Sequence, residues 1–109
     1  MEKYVMFRDV IEGEEKFCIL QREHPHFVCY LAAVPEKKYV PAMPIAGYNL
    51  WLVFNYVLRG KMLPTYSDVD LSALRCMEDM ANWYLRTWVL CNEKKYKKYK
   101  IINDTASFK

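Results

Sequence analysis

Residues 48–60 read Tyr48-Asn49-Leu50-Trp51-Leu52-Val53-Phe54-Asn55-Tyr56-Val57-Leu58-Arg59-Gly60, and the conformation given to this stretch decides the fold. Leu50, Val53, Phe54, Val57 and Leu58 fall at i, i+3, i+4, i+7 and i+8, the spacing of one helix face. Gly60 follows where a C-terminal helix glycine belongs. The reading is therefore a first helix over 48–60. Trp51 and Leu52 are apolar as well, so that helix is greasy nearly all round and needs cover from other elements or from another chain.

Upstream, the pattern belongs to strands. Tyr4 to Ile11 and Lys16 to Arg22 are rich in strand formers, and Phe27 to Val34 is almost wholly apolar. Glu12-Gly13-Glu14-Glu15 supplies one turn, with Gly13 free to take positive φ. Glu23-His24-Pro25-His26 supplies the next, because Pro25 lacks a donor and restrains His24. Two short connections predict an antiparallel meander over residues 1–34. Residues 35–47 hold Pro35, Pro41 and Pro44 and read as an arm, with room for a short fourth edge strand at Tyr39 and Val40, beside Pro41.

Downstream, Ser67 is placed to cap a helix whose first turn carries Asp68 and Asp70. Leu74, Met77, Ala81, Tyr84, Trp88 and Cys91 then recur at spacings of three and four. A second, thinner stripe of Cys76, Trp83 and Leu90 lies on the far side. An unbroken helix over 67–99 would run about 50 Å, longer than a small domain is wide. A break near Asn92 is expected. The fold class is α+β: a three- or four-stranded antiparallel meander followed by two helices on one sheet face, in a single domain over 1–109.

The chain has 109 residues, 53% of them apolar and 16% aromatic, enough to build a core without a staple. Three glycines argue against a Gly-rich phosphate loop. No apolar run approaches the ~20 residues of a membrane span. No secretory leader pattern opens the sequence, so a cytoplasmic location with no membrane partner is expected. Cys18, Cys29, Cys76 and Cys91 lack metal-type spacing and read as buried thiols. If the turn at 22–25 closes a four-residue loop, Cys18 sits opposite Cys29 and the two are placed to pair.

Each chemical motif has a plain structural alternative. His24 and His26 could join Cys18 or Cys29 around a metal, but no second ligand pair is spaced for it. Cys29 beside His26 suggests thiol catalysis, yet Cys29 lies in an apolar run that should bury it. Glu12, Glu14, Glu15, Glu78 and Asp79 read as solvated carboxylates. No catalytic residue, metal or cofactor is therefore assigned, and an enzyme is disfavoured. Lys94, Lys95, Lys97, Lys98 and Lys100 interleave with Tyr96 and Tyr99, a composition suited to phosphates and bases. On a helical wheel the lysines and tyrosines separate, as on a solvated helix end. Trp51, Trp83, Tyr96 and Tyr99 are the candidate contact residues. The function expected is a non-enzymatic interaction or accessory module, self-associating as a homodimer or binding another protein, with nucleic-acid binding through Lys94–Lys100 as the alternative.

Overall fold

The computed structural model describes residues 2–33, 40–59, 63–65 and 71–101. The chain is an α+β protein, with one six-stranded antiparallel sheet and one long helix among the described residues. The strands are β1 (Tyr4–Ile11), β2 (Glu14–Gln21), β3 (Phe27–Ala32), β4 (Ala42–Pro44), β5 (Trp51–Arg59) and β6 (Leu63–Thr65). Their order is β1-β2-β3-β5-β4, with β6 also on β5.

The helix expected over 48–60 is instead β5, the spine of the sheet. Its residues pair with β3 on one side, and with β4 and then β6 on the other. A bulge explains the misleading spacing. Val28 pairs with Tyr56 while Cys29 pairs with Phe54, so Asn55 is an extra residue that flips the alternation. Leu52, Phe54 and Val57 belong to the core on one face; Val53, with Trp51 and Tyr56, packs on the other. A strand apolar on both faces with one parity flip shows no period of two, and its apolar positions imitate a helical stripe. Gly60 lies outside the described residues.

The β1–β2 turn is a two-residue hairpin with Glu12 and Gly13 both at positive φ, 53° and 83°. That is the I′ geometry whose twist matches the strands it joins. The connection from β2 to β3 contains the cis His24–Pro25 bond, and the Gln21 amide donates to the carbonyls of Glu23 and Pro25 across it. β4 forms within the proline arm at Ala42–Pro44, and Pro44 and Pro64 both sit in outer strands, where a missing N–H does least harm.

Helical structure covers one face only. Helix α1 (Leu71–Tyr84) buries Ala73, Met77, Met80, Ala81 and Tyr84 against that face. It then widens into a π-helical stretch over Leu85–Val89 and tightens into a 3-10 turn at Leu90–Asn92. Asn92 leaves helical geometry at φ −138°, and its side-chain amide donates to the Trp88 carbonyl at 2.9 Å, satisfying a group the break exposes. A single turn α2 (Glu93–Tyr96) and a 3-10 turn (Lys97–Tyr99) complete the layer. The expected capping residues Ser67, Asp68 and Asp70 lie outside the described residues. On the opposite face, Cys18, Val28, Tyr30, Ala32 and Val53 are buried beneath partly buried Phe7, Ile11, Leu20, Trp51 and Tyr56.

The strand assignment carries an energetic consequence. Phe54 is 3% exposed at the centre of the sheet, whereas Leu90 is 49% exposed on the helical layer. Urea denaturation should show Phe54→Ala losing about 3–5 kcal/mol. Leu90→Ala should stay within about 0.5 kcal/mol of the parent.

Candidate functional site

The sheet order makes β1 an outer strand over all eight of its residues. The hairpin fixes which backbone groups it spends on β2. Ile11 and Glu14 close the turn as a hydrogen-bonded pair, so pairs alternate from there, and the Arg22 N–H bond to the Lys3 carbonyl at 2.7 Å keeps the same phase. Odd-numbered residues therefore bond to β2, while the N–H and C=O of Tyr4, Met6, Arg8 and Val10 point outward. The Val10 N–H is met by the Asp9 carboxylate of its own strand at 2.8 Å. Among the described residues, no strand pairs with this outer side of β1.

A groove of about 500 Å³ runs beside this edge, bounded by Tyr4, Val5 and Met6 on the strand and by Trp83, Thr87 and Trp88 on the helix. Trp83 packs on Tyr4 with ring centroids 4.9 Å apart. Trp83 thus stands at the sheet edge and is only partly buried. Trp51 lies on the opposite sheet face, packed over Val53 and its neighbours.

The basic segment divides as its wheel suggests. Lys94, Lys95, Lys97, Lys98 and Lys100 are all exposed, while Tyr96 is buried and Tyr99 half-buried. Tyr96 and Tyr84 join hydroxyls at 2.6 Å with their rings at 89°, which ties α2 to α1. Burial first, then the bond from Tyr96, raises the Tyr84 phenol far above its ordinary value. The Asn49 N–H donates to the Tyr99 carbonyl, Ile101 N–H to the Gly47 carbonyl, and Tyr48 bridges to Lys100. The segment is stitched to the 45–50 turn, and its tyrosines face inward. Tyr96 is buried, while Tyr99 is half-buried and borders an open cleft.

The cysteines do not meet. The register pairs Cys18 with Tyr30 and Cys29 with Ile19, one step from the four-residue-loop alignment. A one-residue slip reverses faces, so Cys18 and Cys29 occupy opposite cores, and both are free. Burial pushes the Cys18 thiol up to about 11, and Cys29 is raised by burial as well. Neither is a ready nucleophile. His24 and His26 stand with ring centroids 6.4 Å apart at the β2–β3 turn. Among the described residues, no three His, Cys, Asp or Glu side chains group closely enough to hold a metal ion.

Among the described residues, no helix is long and apolar enough to cross a membrane. Comparison with protein-family models, with curated proteins and with solved structures finds no match.

Thiol accessibility gives a direct check on this arrangement. With a disulfide-exchange reagent at pH 8, Cys91 should react in the native protein, and Cys18 and Cys29 only after unfolding. The Cys18 thiol ionises near 9.0 when unfolded and near 11 when folded, so the fold favours its protonated form. Its contribution to stability is complete below pH 9.0 and falls away as the pH climbs through about 11. Urea titrations across that window should show the decline, and Cys18→Ala should make it shallower.

Proposed function

We propose that this domain is a non-enzymatic interaction module that self-associates by joining the free β1 edges of two copies. The observation that carries this reading is the outward row of Tyr4, Met6 and Arg8 backbone groups on an outer strand, beside a groove that contains Trp83. Unpaired strand edges are templates for another chain, and a strand added to an edge gains affinity from main-chain bonds and selectivity from alternate side-chain pockets.

Symmetry narrows the register. An antiparallel pair about a two-fold axis normal to the sheet places a residue on the axis opposite itself. An axis at Arg8 or Asp9 sets like charges face to face. An axis at Phe7 pairs Tyr4 with Val10 of the second copy and so loses the Val10 N–H, which Asp9 already holds. An axis at Met6 uses only Tyr4, Met6 and Arg8. It sets Val5 against Phe7 of the second copy and Tyr4 against its Arg8, both favourable cross-strand pairs.

The nucleic-acid alternative keeps its charge in Lys94–Lys100 and only part of its stacking platform, since Tyr96 is buried and Tyr99 half-buried. Binding of that kind would rest on phosphate contacts alone and fall steeply with salt.

Sedimentation equilibrium should show a concentration-dependent dimer. Met6→Lys places two ammonium groups at the axis and should shift the chain to monomer with its thermal transition retained. Trp83→Ala should weaken association more than folding. A one-chain mass at the highest soluble concentration would refute the reading.

A further inference from the structure

On the helical side of the sheet, away from the outer edge of β1, a cleft of about 320 Å³ opens between β2, the end of β3 and the last helical turns. Its size lies at the lower end of the range for small-molecule sites, about 300–1,000 Å³. Its wall is apolar where Phe17, Leu31 and Leu50 meet. Leu31 and Leu50 are buried side chains, so this wall is set by the core rather than by loose surface groups.

The linked phenols of Tyr84 and Tyr96 also line the cleft. Two phenols that share one hydrogen bond leave one hydroxyl proton over. Among the described residues that proton has no second acceptor, so the pair offers a neutral donor at the apolar wall. Desolvation keeps Tyr84 protonated, which preserves the donor at every ordinary pH.

Cations rim the same space. Lys95 and Lys98 extend from the last turns, whereas the Lys16 side chain alternates to the other face of β2 and its ammonium stands 3.9 Å from Glu14. The Lys95 ammonium stands 5.7 Å from the Phe17 ring centroid and 5.9 Å from that of Tyr96, and Lys98 stands 5.1 Å from that of Tyr99. These ammonium groups are held over aromatic faces at the mouth rather than dispersed. The carboxylate at the mouth, Glu15, is engaged with Arg8 at 3.4 Å. Two ammonium groups, Lys95 and Lys98, against that one engaged carboxylate leave the entrance positive.

We propose that this cleft binds a small carboxylate with a flat apolar body, its ring against Phe17, Leu31 and Leu50, and its anionic end between the phenol pair and Lys95 and Lys98. The apolar wall selects the body, and the donors and cations select the charge. Phosphorylated ligands fit less well, because Lys95 and Lys98 supply point charges without a glycine-rich backbone cradle, and the nearby Arg8 guanidinium is taken up by the Phe17 ring at 4.6 Å and by Glu15.

Naphthalene-2-carboxylate is a suitable probe, with its neutral carboxamide as the control. At the efficiency usual for ligands of this size, the carboxylate should bind with a Kd of about 1 mM or tighter. Ligand-observed NMR and shifts of the Tyr96 and Tyr99 ring protons would report it. The carboxamide should bind at least about tenfold more weakly, as should the carboxylate to Lys95→Gln/Lys98→Gln. Both lysines are exposed, so that variant should fold with an unchanged thermal transition. Equal affinity for acid and amide, affinity unchanged in the double variant, or no shift at the two tyrosines up to 10-fold above the expected Kd would each overturn the proposal. Because the probe reports on the monomer's own cleft, the result is independent of whether β1 pairs between copies.

Discussion

The structure depends on one constraint: β5 must satisfy its backbone on both sides and its side chains on both faces. It lies between β3 and the pair β4 and β6, so its N–H and C=O groups are met from two directions. An interior strand of this kind tolerates no polar core face. Leu52, Val53, Phe54 and Val57 are accordingly all buried. The bulge at Asn55 lets nine residues serve two faces while shifting parity partway along. Without that shift, Phe54 and Val57 would face opposite ways, and the surface on which Met77, Met80 and Tyr84 pack would lose one of its sheet partners.

The same feature explains what could and could not be read from the sequence. The β1–β2 turn was legible because Gly13 follows Glu12 between two strand-forming runs, and turn chemistry is local. The α1 periodicity was legible because that helix is amphipathic, with Ala73, Met77 and Tyr84 inward and Arg75, Glu78 and Asp79 outward. β5 was not, because its strand character is enforced by neighbours on both sides rather than by its own pattern. With few β-branched residues, apolar groups on both faces and a parity break, the local signal favoured the wrong period. The surplus of apolar helix surface anticipated for 48–60 therefore does not exist. Those side chains are consumed within the sheet.

Register and strand order are nonlocal for the same reason. Whether Cys18 faces Cys29 turned on one residue in the β2–β3 connection, and the observed register sends them to opposite cores. Whether Trp83 was a core ring or a contact residue depended on which strand lay beneath it. It lies beside Tyr4 on the outermost strand, so its stripe, thin by helical reckoning, marks the rim of the sheet. The lysine-rich end was better posed, since separation of charge from ring is a property of the local turn. Even there, the inward tyrosines were settled by the partner at Tyr84 and by the stitching to Gly47 and Asn49.

The two halves of the β1 edge are chemically different, and that asymmetry bears most directly on what the edge does. Near the hairpin, the Asp9 carboxylate occupies the Val10 N–H, so this end is blunted against pairing. Near the start of the strand, the outward groups of Tyr4 and Met6 adjoin an aromatic groove. A strand that only needed protection from aggregation would gain from blocking its whole length. In the proposed pairing, blocking one end and leaving the other beside Trp83 would instead set where a second strand begins and ends. In the proposed dimer, a local hydrogen bond between neighbours in sequence would thereby act as a register stop for an association that it does not itself touch.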